Sequence, residues 1–105
     1  MLQTAYGFCR QNLRFLDGVN SDDHGMSHCK SRDTAVAEYT TVSRWYIEIF
    51  SGMLQKLKAI AVGNGSLLDD SIVQYGSGMK YGNCQIRENR PILLAGVGQG
   101  RMESG

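Results

Sequence analysis

Tyr46, Phe50, Met53, Leu57 and Ile60 recur at alternating spacings of four and three, which places all five on one face of an α-helix. Trp45, Ile47, Ile49 and Leu54 add a second apolar strip beside the first. The pattern predicts a helix over 33–61, with Ser31 or Asp33 able to cap its first amides. Lys56 and Lys58 suit the negative pole at its C-terminal end, and Gly63-Asn64-Gly65 supplies a stop signal. A helix so broadly apolar needs cover on more than one side, and that need constrains everything else the chain can form.

Upstream of the helix, Phe8, Leu13, Phe15 and Leu16 suggest a short amphipathic helix ended by Asp17-Gly18, and Asn20 to Arg32 reads as a polar loop. Downstream, Ser71–Tyr75 and Pro91–Ala95 are short apolar runs closed by Gly76 and by Gly96 with Gly98. Continuous apolar runs of this kind suit strands of a parallel sheet covered on both faces. The segment between them, rich in Gly, Ser, Asn and charge, is long for a structureless connection, and such loops are commonly functional. The expected fold class is therefore α/β: a long helix followed by two short strands. Two strands do not complete such a sheet, so the remaining strands are expected from a longer chain or a second copy.

With 105 residues the chain suits one domain. A formal net charge of +1, with no basic run, gives no reason to expect a nucleic acid or an anionic membrane as partner. No apolar run approaches membrane-spanning length and no signal peptide is visible, which leaves localisation open. The three cysteines, Cys9, Cys29 and Cys84, cannot all pair within the chain, and no CxxC spacing is present. The glycines clustered between Gly76 and Gly100 form no repeat.

Two constellations could carry chemistry. Asp22-Asp23-His24-Gly25-Met26-Ser27-His28-Cys29 brings two imidazoles, two carboxylates and a thiol together within eight residues. These are ligand types for zinc or another divalent metal, and two imidazoles can also act as acid and base near neutral pH. Asp23, His24, His28 and Cys29 are the candidate metal ligands. The plainer reading is a solvated loop before a helix. Tyr75-Gly76-Ser77-Gly78-Met79, followed by Gly82-Asn83-Cys84, could receive an anion or other ligand on backbone amides, with Gly76, Ser77, Gly78 and Asn83 as its residues. It lacks the third glycine and following helix of a dinucleotide loop, and Ser77 has no G-x-S-x-G surroundings. An ordinary strand-to-loop turn is the competing reading. Gly96-x-Gly98-x-Gly100 reads as a flexible end, Trp45 and Tyr46 as core, and Arg87, Glu88 and Arg90 as a solvated stretch.

In this order the two constellations resemble a bacterial family defined by an HxxSHH motif, a domain of unknown function. His24-Gly25-Met26-Ser27-His28-Cys29 is similar to the signature itself. Leu67-Leu68-Asp69 with Tyr75-Gly76-Ser77-Gly78-Met79, then Gly82-Asn83 and Pro91-Ile92-Leu93-Leu94-Ala95-Gly96, resemble its later segments. The likeness runs from about Asp22 to Gly100, dividing the chain into an unassigned segment, 1–21, and a family-like part, 22–105. Members resemble alkaline-phosphatase-like α/β proteins and are typically exported. The resemblance implies a C-terminal piece of such a sheet and, when complete, a metal-dependent hydrolase of phosphate or sulfate esters. Two departures bear on this. Cys29 stands where the third signature histidine belongs, and Cys84, Gln85 and Ile86 follow Gly82-Asn83 where the family carries histidine. The expectation is a truncated or degenerate member without catalysis of its own. The alternatives are a small metal-binding or interaction module built on the His24/His28/Cys29 loop, and self-association through the 33–61 helix.

Overall fold

The computed structural model describes residues 11–21, 26, 33–77 and 88–103. Its described elements are α1, Asp33–Ala59; β1, Ala61–Val62; β2, Gly65–Ser66; β3, Val73–Gly76; and β4, Ile92–Ala95. Their residues fall into two compact units. The first takes in the described residues up to Tyr46 together with 88–90, and the second takes in 47–77 with 91–103. The long helix supplies residues to both.

In the first unit, Leu13, Val19, Met26 and Val42 form a buried apolar cluster, with Leu16, Trp45 and Tyr46 packed against it. The edge of Phe15 meets Trp45 at 5.2 Å between ring centroids, and Trp45 contacts Tyr46 at 5.1 Å. The amphipathic helix expected around Leu13 and Leu16 is absent from the described residues 11–21. Two successive turns replace it, closed by Leu16 N–H on the Leu13 carbonyl and Val19 N–H on the Leu16 carbonyl. Gly18, at φ 79°, supplies the left-handed residue that the second turn requires. The turns send Leu13 and Val19 inward, whereas one helical face would have grouped Phe15 with Leu16. Phe8 lies outside the described residues.

Helix α1 carries Asp33 in its first turn and Lys56 and Lys58 in its last, so both poles of the helix dipole meet the favourable charge. Ser31 lies outside the described residues. Along the helix Glu38, Val42, Phe50 and the half-buried Met53 and Leu57 follow one stripe, while Ile47 and Ile49 are exposed. The helix ends at Ala59, short of Ala61. A hairpin takes over there: the Leu67 N–H donates to the Ile60 carbonyl, and Ala61 and Val62 pair antiparallel with Ser66 and Gly65. Gly63-Asn64 is a two-residue loop with Gly63 at φ 56°, the glycine-first pattern that matches strand twist. The glycine signal thus marks a hairpin turn more than a helix cap.

The second unit is knit from turns around β3 and β4. Phe50 from the helix packs on Tyr75 of β3 with ring centroids 5.0 Å apart. β3 and β4 pair antiparallel, Val73 with Ala95 through Gly76 with Ile92. The parallel arrangement suggested by the apolar runs is not formed by these two strands. Parallel neighbours need a crossover of a dozen or more residues, usually a helix, and only ten residues, 78–87, lie between the described ends of this connection. Nor is the run covered: Ile92, Leu93 and Leu94 are each about half exposed.

The C-terminal glycines are not a loose end. Gly98 N–H donates to the Ser71 carbonyl and Gln99 N–H to the Asp69 carbonyl, which ties 96–101 onto the turn at 66–71. Gly96, at φ 90°, lies so close to that turn that an added Cβ would sit 2.2 Å from the Ser71 carbonyl oxygen. Among the described residues, no helix is long and apolar enough to cross a membrane.

Candidate functional site

The first unit contains an open depression of about 210 Å³ lined by Ser21, Thr34, Ala35 and Glu38. Its walls come from the end of the N-terminal turns and the first two turns of α1. Ser21 and Asp33 flank the segment 22–32 in sequence, and Ser21 itself lines the depression. Asp23, His24, His28 and Cys29 lie outside the described residues. Met26, at the centre of their motif, is 1% exposed and belongs to the apolar cluster with Val42. A methionine in that position acts as packing.

Glu38 is the acidic group of the depression and is 9% exposed. One carboxylate oxygen accepts the Ser21 backbone N–H at 3.1 Å. Burial pushes its pKa up, but hydrogen bonds from Ser21 and Asn20 outweigh that effect and hold it below the usual glutamate range. Arg14 braces the same turn by donating from Nε to the Asn20 carbonyl at 2.9 Å. The ionised Glu38 therefore clamps the Asn20–Ser21 backbone to the helix. Sequence reasoning passed over Glu38. The signal was present: it sits one helical turn before Val42, on a stripe otherwise apolar.

Of the second constellation, Gly76 and Ser77 are described, and Gly78 and Asn83 lie outside the described residues. Gly76 is the last residue of β3 and faces Ile92, and an added Cβ would stand 3.1 Å from the Pro91 carbonyl oxygen. Glycine here admits the neighbouring strand. Ser77 follows it and is exposed.

A further polar cluster lies in the second unit. The Asp69 carboxylate accepts from the Ser66 N–H and hydroxyl, both at 2.8 Å, and the Asp69 N–H points back to the Ser66 hydroxyl at 3.4 Å. This is a reciprocal capping box on the 66–70 turn. The Ser66 amide and then its hydroxyl lower the Asp69 pKa, with a smaller contribution from Lys58. The Leu67-Leu68-Asp69-Asp70-Ser71 run, prominent in the sequence, thus serves the fold by capping a turn and receiving the C-terminal glycines.

Among the described residues no cluster of histidine, cysteine or carboxylate side chains could hold a metal ion. Every histidine and cysteine of the chain lies outside those residues. No protein-family model, no curated protein and no solved structure matches the chain.

Proposed function

We infer that the chain is a degenerate relative of the HxxSHH proteins that does not catalyse hydrolysis by itself and acts as a piece of a larger α/β assembly. The observation that carries this reading is β4. Ile92, Leu93 and Leu94 are 52%, 49% and 55% exposed on a two-stranded sheet. Such a pair is marginal in water, and three consecutive exposed apolar side chains call for further strands or a packed layer. The departures at Gln85 and Ile86 agree with it, because glutamine and isoleucine do not replace imidazole as metal ligands, whereas Cys29 could still bind zinc. An assay of phosphate- and sulfate-ester hydrolysis by the purified chain, with zinc supplied, tests the reading. The expected result is turnover no greater than that of His24→Ala; turnover that depends on His24 overturns it.

A second reading rests on the depression beside Glu38. Ser21 and Thr34 stand close to either end of the 22–32 segment and share that depression, while Met26 is pinned in the core. Two imidazoles, a thiol and a carboxylate within this stretch are the ligand types of a metal-binding module using His24, His28 and Cys29, with Asp23 as a further ligand for zinc or another divalent ion. Proton release on adding zinc, lost in His28→Ala, is the expected sign of such a module.

A further inference from the structure

The hairpin tip between β1 and β2 presents the chemistry of a self-modifying site. Asn64 is followed by Gly65, and of the five asparagines in the chain no other precedes a glycine. Glycine has no side chain to shield its backbone nitrogen or to restrict the approach of that nitrogen to the preceding side chain. Residues 61–65 are all exposed, and each strand of the hairpin is two residues long. The pairing of Val62 with Gly65 holds the turn closed, yet a ladder of two residues per strand is of the kind that local fluctuations open.

We propose that Asn64–Gly65 is a site of spontaneous deamidation in the folded chain, and that its isoaspartyl product dismantles the β1–β2 hairpin. The deprotonated Gly65 backbone nitrogen attacks Cγ of Asn64. A nitrogen–carbon bond forms, the bond from Cγ to Nδ2 breaks, and ammonia leaves with the proton that the Gly65 amide gave up. Water then adds to one of the two carbonyls of the cyclic imide. One opening gives an aspartyl residue; the other gives an isoaspartyl residue, whose backbone is one carbon longer. Water is the only co-reactant, and no oxidant or reductant takes part.

The consequences follow from the position. A lengthened backbone between Gly63 and Gly65 cannot keep Val62 opposite Gly65, since a two-residue loop fixes that register. Gly65 also stands against the capping box, with its Cβ position 3.0 Å from Asp69 Oδ2, so displacing Gly65 disturbs the turn on which the C-terminal glycines rest. Each conversion replaces a neutral amide by a carboxylate and takes the formal net charge at pH 7 from +1 to zero. Loss of net charge favours association of a surface that already exposes apolar side chains.

The test is incubation of the full chain at mildly alkaline pH in native buffer, beside the same chain in urea, followed by peptide mapping by mass spectrometry and anion exchange. Native conversion is expected at Asn64 ahead of the other asparagines, slower than in urea, with ammonia released and an acidic species accumulating. Asn64→Gln is expected to lose both signals. Asp17-Gly18 can form the same imide, but without ammonia or a change of mass, so mapping separates the two. The proposal fails if native Asn64 stays intact while the urea sample converts, if neither sample converts, if another asparagine reacts first, or if Asn64→Gln keeps the acidic species.

Discussion

Glu38 and Met26 join the residues before the helix to it by different physics. Glu38 does so with a charge. Its carboxylate has a lowered pKa in the folded chain, so the ionised form is the one that folding favours. The resulting stability is present at pH values above the usual glutamate value of 4.5 and is lost as pH falls through the lower folded value. Glu38→Gln is expected to flatten that acid-side loss in a urea titration repeated across pH, while leaving the neutral-pH slope unchanged. Glu38→Ala leaves the Ser21 amide without its acceptor and is expected to cost about 1–3 kcal/mol at neutral pH. Met26 acts by volume. Truncation to alanine at a position 1% exposed is expected to cost about 2–5 kcal/mol, and Met26→Leu less than about 1.5 kcal/mol, read from urea midpoints. The sequence flagged the motif around Met26 for its ligands, yet the described structure singles out the methionine. Ligand chemistry is conspicuous in a sequence, whereas a buried methionine in a polar segment has no periodicity to announce it.

At the scale of elements, the helix was legible because its signal is long and redundant: two apolar strips repeat over many turns, and each turn confirms the last. The β1–β2 hairpin was not, since two-residue strands have no pattern and their turn signal doubles as a helix stop. The antiparallel pairing of β3 with β4 was hidden for a related reason. A short apolar run gives strand but not direction, and direction depends on what the connection does. The glycine-rich end was misread because composition reports freedom, while burial against a carbonyl can remove it. Gly96 and Gly100 separate those effects. Both have positive φ, but an added Cβ meets the Ser71 carbonyl at 2.2 Å for Gly96 and nothing within 4 Å for Gly100. Gly100→Ala is expected to cost about 1–2 kcal/mol from backbone strain alone. Gly96→Ala should exceed it clearly, with faster hydrogen exchange at the Gly98 and Gln99 amides as the local sign that the turn has detached.

For the molecule as a whole, exposed apolar side chains occur on both the helix and the sheet: Ile47 and Ile49 on α1, and Ile92 to Leu94 on β4. This is the residue pattern of a layer awaiting another layer. Leu94→Thr keeps strand propensity and is expected to reduce binding of a hydrophobic dye while leaving the far-UV circular dichroism unchanged. The same exposure makes self-association expected on concentration, visible as a shift in elution between dilute and concentrated samples. Neither observation requires a reaction, and the proposal at the centre of the account is a chain with a ligand-bearing segment that does not form a hydrolytic metal centre by itself. Thermal unfolding followed by circular dichroism, with and without stoichiometric zinc, tests it most directly. A metal bound only by the folded chain raises the midpoint by mass action. The first reading predicts the same midpoint in both samples; a midpoint raised by zinc, with the rise lost in His24→Ala and His28→Ala, would contradict it and favour the metal-binding module.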